Sequence, residues 1–385
     1  MEIFKLLQDQ SGLFSLGWQN FVMFAIGGVL IFLAIRKNFE PLLLVPIGFG
    51  AILGNLPLAE MSSSSAAAGQ HLDHIPLLQL IYNSGIKTEL LPPIIFLGVG
   101  ALTDFRPLLG RPITFLLGAS AQLGIFVAAL AAHYFFGFTL KEAGSIGIIG
   151  GADGPTSIFL TAKLAPHLLG AVAVAAYSYM ALVPVIFPPI LRLLTTKEER
   201  HIEVRQAKPV SKAAVILFPI VTCVLACLFI PSAAPLLGML MFGNLLRESG
   251  VTDRLSNTAS GALINIVTIF LGLVVGSTME GTAFLQPRTI FILLLGIVAF
   301  SFSTAGGILF AKLLNVILPK DRRINPCIGA AGVSAVPMAA RVVQTFVSGE
   351  TNGKVNPLMA AMGPNVAGVI GSAMAAGVFL ALLGG

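Results

Sequence analysis

Between residues 147 and 163 an apolar run is broken by chemistry that a membrane-embedded helix ordinarily excludes. The stretch reads Gly-Ile-Ile-Gly-Gly-Ala-Asp-Gly-Pro-Thr-Ser-Ile-Phe-Leu-Thr-Ala-Lys and carries Asp153, Lys163 and four glycines. An acid at bilayer depth costs about 2.5–3.5 kcal/mol even on insertion-based scales, so it faces protein or water and is usually functional. Gly150, Gly151, Gly154 and Pro155 interrupt a regular helix. Broken backbone at that depth is tolerated only where protein or an aqueous cavity satisfies its polar groups. The pattern predicts an ion site at an interrupted helix, as in secondary transporters. The plainer alternative is a glycine-rich helix with one buried, paired aspartate.

The rest of the chain supplies the membrane. Of 385 residues 56% are hydrophobic and only 10% charged, against about 25% charged in a soluble domain. The expected class is an all-α polytopic membrane protein. Strand-period alternation is absent, which argues against a barrel. The net charge of +6 does not indicate nucleic-acid binding, because no basic helix or aromatic platform accompanies it. Cys223, Cys227 and Cys327 lie in apolar segments, and His71, His74, His133, His167 and His201 lack zinc-type spacing. Residues 1–18 read as an interfacial lead-in rather than a cleavable signal.

Apolar segments fall at about 19–36, 41–56, 90–105, 113–137, 145–163 and 169–195, then, after a polar loop at 196–212, at 213–231, 235–246, 260–279, 288–314, 324–346 and 355–383. The segments 41–56 and 235–246 are short of the roughly 20 residues a crossing needs, so their helices are expected to extend into the flanks. The two sets resemble each other. Gly54-Asn55-Leu56 matches Gly243-Asn244-Leu245, Ile95-Phe96-Leu97-Gly98 matches Ile269-Phe270-Leu271-Gly272, and Gly151-Ala152-Asp153-Gly154 matches Gly329-Ala330-Ala331-Gly332. The last alignment sets Thr156 on Ser334 and Lys163 on Arg341. A longer first-half loop at 57–89, with Met61-Ser62-Ser63-Ser64-Ser65-Ala66, accounts for most of the drift in offset. The common order predicts an internal repeat, 1–195 and 213–385, joined by a cytoplasmic linker at 196–212.

Charge then orients the repeats. If 145–163 and 324–346 are re-entrant hairpins, each half crosses five times and the halves are inverted. That arrangement places 17 of the 23 basic residues inside and only Lys5, Lys87, Lys141 and Arg288 outside, with Lys163 and Arg341 in the hairpins. Two full crossings instead would put the basic 196–212 loop outside, against the positive-inside rule. The expected architecture is about ten transmembrane helices plus two re-entrant or broken hairpins meeting at the midplane, like an elevator transporter.

Asp153 is the leading cation ligand or proton carrier. Burial disfavours its charge, and a bound cation or a nearby arginine favours it; an ion pair with Arg341 or Lys163 is the structural alternative. In the mirrored stretch, Asn325 and Ser334 offer neutral oxygens to a hard cation. Arg341 offers a fork for a carboxylate, or else snorkels to the inner interface. Tyr177 and Tyr179, two of only four tyrosines, could bind an ion, donate or relay a proton, or simply pack. Asn365, in Gly363-Pro364-Asn365-Val366-Ala367-Gly368, adds a candidate ligand. Asn257, Ser260 and Asn265 are either site residues or interhelical glue.

At these motifs the chain resembles the beta subunits of sodium-pumping biotin-dependent decarboxylases, which serve oxaloacetate, methylmalonyl-CoA, glutaconyl-CoA or malonate. The resemblance covers nearly the whole chain and rests on Gly151-Ala152-Asp153-Gly154-Pro155-Thr156, the block from 325 to 341, and Gly363-Pro364-Asn365-Val366-Ala367-Gly368. It implies functional roles for Asp153, Tyr179, Asn325, Gly329, Ser334 and Arg341. The implied assignment is Asp153, Tyr179 and Arg341 in catalysis, Arg341 on carboxybiotin, and Asp153, Asn325, Gly329, Ser334 and Asn365 around sodium. The implied activity is a sodium-translocating carboxybiotin decarboxylase in a bacterial inner membrane, consuming a proton. Its implied partners are a carboxyltransferase alpha subunit, a biotin carrier protein, a small gamma/delta membrane subunit and further copies of the chain, a trimer among the options. No Ala-Met-Lys-Met biotinylation sequence occurs, so the biotin would arrive on another polypeptide. The chain looks like the shorter form that accompanies CoA-thioester decarboxylases. The competing expectation is a sodium/proton or sodium/carboxylate carrier of elevator type without chemistry.

Overall fold

The computed structural model describes residues 11–37, 40–59, 75–204, 208–319 and 322–384, and contains no strand among them. Lys5, His71, His74, Arg205, Lys320 and the serine-rich run at 61–66 lie outside the described residues.

Six helices are long and apolar enough to cross a membrane. They are α1 (Trp18–Lys37), α4 (Ile113–Phe136), α8 (Lys212–Phe229), α10 (Asp253–Ser277), α11 (Pro287–Ile317) and α13 (Leu358–Leu383). Between them lie α2 (Pro41–Gly54), α3 (Leu91–Leu102), α5 (Leu140–Gly147), α6 (Gly154–Leu164), α7 (Leu169–Leu194), α9 (Ala234–Glu248) and α12 (Met338–Glu350). Two further spans are bent. Residues 77–87 and α3 meet at 64°, and α7 with its preceding turn bends by 62° between residues 180 and 182. The second bend follows from Pro184, which takes the donor from the carbonyl four residues back and crowds it.

The apolar segments largely become these helices, with three differences. The short segment at 41–56 does not lengthen. It stops at Gly54 after 14 residues, about 21 Å at 1.5 Å per residue. The segment at 235–246 grows only to 15 residues. Part of the expected 57–89 loop is helical, at Leu77–Ile81 and in a wide turn at Tyr82–Lys87.

Two reciprocal packings dominate one side of the molecule: α2 on α10, and α3 on α9. Both bring backbones together. A Cβ on Gly50 would strike the Leu273 carbonyl, and one on Gly276 the Ile47 carbonyl. A Cβ on Gly100 would strike the Leu240 carbonyl, and one on Gly243 the Leu97 carbonyl. Small residues at such crossings supply the van der Waals contact that lipid cannot drive by hydrophobicity. Each contact is locked by a buried asparagine. Asn55 donates to the carbonyls of Ala51 (2.8 Å) and Met279 (2.7 Å) and accepts from the Gly281 amide (2.9 Å). Asn244 donates to the carbonyls of Thr103 (2.8 Å) and Gly100 (3.4 Å).

On the other side α4, α7, α11 and α13 surround the two broken hairpins. Burial grades accordingly: 67% of the most apolar window of α13 is buried, against 17% for α8 and 22% for α1, which face outward. Asn257 and Asn265 are exposed, and Ser260 bonds back to the Ser256 carbonyl, so that polar run stays off the hairpins.

Gly243→Ala is expected to lower the thermal midpoint by several degrees, because overpacking costs about 1–3 kcal/mol. Gly28→Ala, where a Cβ meets nothing within 4 Å, should be neutral or slightly stabilising. Melting both variants in detergent checks this.

Candidate functional site

The first hairpin starts from a capped helix. Thr139 caps α5 in a capping box with Glu142, which accepts from the Thr139 amide at 2.8 Å. Glu142 also meets His167 at 2.9 Å and Arg288 at 3.6 Å, fastening the outer end of the hairpin to the starts of α7 and α11. After α5 the chain tightens into a 3-10 turn, Ile148–Gly151, and Ala152 turns left-handed at φ 53°. A non-glycine residue there is uncommon. Asp153 then caps α6, with Pro155 in the first helical turn. The glycine-rich motif thus ends one helix and starts another within a few residues. Lys163, at the far end of α6, pairs with Glu89 at 2.8 Å rather than with Asp153.

The first arm of the second hairpin is a 3-10 helix rather than an α-helix. Asn325 caps a 3-10 segment, Pro326–Gly332, and an extended stretch leads to α12. The Asn325 amide nitrogen donates to the carbonyls of Arg200 (3.0 Å) and Ile202 (3.1 Å), and its oxygen accepts from the Cys327 amide (3.1 Å). The structure therefore places Asn325 at the base of the hairpin, on the connector after α7, with its amide engaged. Gly329 crosses Gly307 of α11 at backbone contact; a Cβ on either would strike the carbonyl of the other. The buried Arg200 side chain bonds Glu350 (2.8 Å) and the carbonyls of Thr195 (2.7 Å) and Arg192 (3.0 Å), and lies 5.5 Å from the Phe346 ring centre.

The tips meet. The Ser334 amide donates to the Gly151 carbonyl at 2.8 Å. Asp153, 7% exposed, accepts from the hydroxyls of Ser372 (2.8 Å) and Ser334 (3.1 Å) on one oxygen and from the Thr156 amide (3.3 Å) on the other. Asn365 donates to the carbonyls of Val333 (2.7 Å) and Ala331 (3.1 Å). Around the crossing lie two buried amide oxygens with no partner among the described residues, Asn365 Oδ1 and Gln122 Oε1. No basic side chain pairs with Asp153 among the described residues. Its charge is balanced by hydroxyl and amide dipoles and the N-terminus of α6, which leaves room for a cation or a proton. A carboxylate with neutral oxygens suits a hard cation, and among the described residues no cluster of His, Cys, Asp and Glu offers a transition-metal site.

Three sequence candidates, Asp153, Ser334 and Asn365, thus converge, while Asn325 and Gly329 sit lower on the second hairpin. The tyrosines separate, as residues two apart on a helix must. The Tyr177 ring lies against Gly154, where a Cβ would strike it. Tyr179 packs on Gly296 and donates its hydroxyl to the Leu293 carbonyl of α11. Arg341 is exposed and lines a cleft of about 560 Å³ with Pro184, Pro188, Arg192, Phe346 and Glu350. Two residues were missed from sequence. Ser372 lies seven residues after Asn365, two helical turns on the same face, and that spacing was a usable signal. Gln122 is an uncharged amide between Gly118 and Gly124, and nothing in its local pattern marks it.

Comparison with known proteins gives the family. A family model described as the Na+-transporting oxaloacetate decarboxylase beta subunit matches residues 19–383. The glutaconyl-CoA decarboxylase subunit beta of Acidaminococcus fermentans is 54% identical over 381 residues, covering 99% of this chain and 97% of that one. The methylmalonyl-CoA decarboxylase subunit beta of Veillonella parvula is 53% identical over 379 residues (97% and 96%). The oxaloacetate decarboxylase beta chain of Klebsiella pneumoniae is 50% identical over 430 aligned positions (99% of each).

Proposed function

Because the chain belongs to the family of Na+-transporting decarboxylase beta subunits, we propose that it decarboxylates carboxybiotin and uses that reaction to export sodium. That it is a multi-pass membrane protein of a sodium-transporting decarboxylase follows from the family and the apolar helices together. The single observation that carries the finer reading is the buried Asp153 with hydroxyl partners and, among the described residues, no basic side chain. A carboxylate so placed can hold Na+ or H+, one at a time, and exchange of the two couples transport to chemistry.

The reaction breaks the bond between the ureido nitrogen and the carboxyl carbon. Carbon dioxide leaves, the electron pair stays on nitrogen, and nitrogen takes one proton. Carboxybiotin is the substrate here, delivered on a biotin carrier protein after a carboxyltransferase alpha subunit has loaded it. A small gamma/delta membrane subunit and further copies of the chain, three in one arrangement, complete the complex in the bacterial inner membrane. The Arg341 cleft suits the incoming carboxylate: it lies beside the end of α7 and the basic connector that the charge rule places inside. Asp153, Ser334 and Asn365 supply the sodium ligands, with Asn325 and Gly329 holding the second hairpin, and Tyr179 acts from the α7–α11 contact. Alignment with the two CoA-thioester relatives runs near this chain's own length and with the oxaloacetate relative over 430 positions, in keeping with the shorter form. A sodium carrier without chemistry would leave the decarboxylase relatives unexplained.

The architecture that serves this function is two inverted repeats, 1–195 and 213–385, with a cytoplasmic linker at 196–212. Ten crossings arise if the six long spans, the two bent spans and the short α2 and α9 all traverse. The reciprocal α2–α10 and α3–α9 contacts, each with its asparagine, support the repeat.

Asp153→Asn keeps size and helix cap but removes the charge. It is expected to abolish both sodium transport and decarboxylation in reconstituted complex, and full-rate decarboxylation without transport would refute the shared role. Cysteines placed in the 196–212 linker should label only from the cytoplasmic side and those at positions 87 and 141 only from outside; the reverse would overturn the topology. Arg341→Lys keeps charge but loses the fork, so it should slow turnover at near-normal sodium half-saturation. If only the charge of Arg341 matters, lysine will substitute and Arg341→Ala alone will slow turnover.

A further inference from the structure

We propose that Gln122 is a ligand of the transported cation, its amide oxygen completing the set around Asp153. The inference rests on the sodium reading above.

Two amides grip the tip of the second hairpin. Asn365 of α13 donates to the carbonyls of Ala331 and Val333, and Gln122 of α4 donates to that of Gly332 at 3.3 Å and of Gly118 at 3.0 Å. Three successive carbonyls are thereby taken from two helices. In each amide the nitrogen is anchored and the oxygen is left buried without a partner. The orientation is fixed: a flipped Gln122 would turn its oxygen against two carbonyl oxygens. A buried amide oxygen left unsatisfied is costly, and a cation is the kind of partner that removes that cost.

The place is right as well. Gln122 is 5% exposed. Its oxygen lies 3.5 Å from where a Gly151 Cβ would be, and its side-chain carbon lies 2.8 Å from a Cβ built on Gly371. Gly151 precedes Asp153 by two residues, Gly371 adjoins Ser372, and Gly332 precedes Ser334 by two. Gln122 therefore reaches the same three backbone segments that carry Asp153 and its two hydroxyl donors. The backbone also marks the position. The helix pauses at Gln122, between Ile113–Ala121 and Leu123–Phe136, with three-residue hydrogen bonds on both sides (Gln122 amide to Ala119, 3.1 Å; Ile125 amide to the Gln122 carbonyl, 3.0 Å). Such tightening inside a helix often marks a functional position.

The test uses the purified full chain in detergent, melted across a NaCl series with KCl holding ionic strength constant, so it needs no partner subunit and no turnover. The parent chain should be stabilised by sodium and not by potassium, and Asp153→Asn should lose the effect. Gln122→Leu removes the oxygen and should raise the half-saturating sodium concentration about tenfold or more. Gln122→Glu keeps side-chain oxygens and loses the amide donors, so it should keep sodium stabilisation, tighter as pH rises. An unchanged half-saturation in Gln122→Leu overturns the inference. If Gln122→Leu does not fold, Gln122→Glu decides: a comparable loss of sodium stabilisation in its ionised form means the amide is only a strut. Absence of any sodium-specific shift in the parent chain defeats the sodium reading itself, and this inference with it.

Discussion

A carboxylate buried among hydroxyls, with no basic side chain among the described residues to balance it, is the constraint around which this molecule is arranged. Had Asp153 faced Arg341 or Lys163, the site would be an internal ion pair and its charge would be settled. Instead Lys163 is held by Glu89 and Arg341 lines an open cleft, and the carboxylate is left with hydroxyl and amide partners alone. Two interrupted helices bring that about. One places the aspartate at a helix start, where backbone amides favour a negative charge; the other delivers Ser334 and a run of carbonyls to the same point.

Holding broken backbone at that depth requires close packing on every side. Glycines at 118, 124, 147, 307, 329, 332 and 368 let α4, α11 and α13 approach the hairpins at backbone distance. Side-chain amides then satisfy the carbonyls that no regular helix can use. Asn325 does so at the base of the second hairpin, Asn365 and Gln122 at its tip. Polar groups in this protein therefore close the hydrogen-bond needs of irregular backbone, and the two amides at the tip do so while keeping their own oxygens unengaged among the described residues.

Much of this was legible in the residues. Glycine and proline around an isolated acid announced the break, and apolar run lengths located the helices. The internal matches picked out Asn55 and Asn244, which the fold then used in matching ways. What escaped detection depends on distance in three dimensions. Ser372 and Gln122 lie 219 and 31 positions from Asp153, and an apolar helix tolerates a lone serine or glutamine without any local mark. Which of Tyr177 and Tyr179 faces the hairpin is a matter of helix rotation, fixed by packing on Gly154 and Gly296. Whether 41–54 would lengthen depended on neighbours that the local pattern does not contain.

The ties at the two hairpin bases have a mechanical consequence. Glu142 fixes one base to α7 and α11, and Arg200 with Asn325 fixes the other to the end of α7. The tips are joined by a backbone hydrogen bond. Clamped at both feet and spliced in the middle, the pair forms a single truss in which a displacement of one tip strains the other. With α4, α7, α11 and α13 packed around it, the truss forms one continuous body beside the asparagine-locked helices.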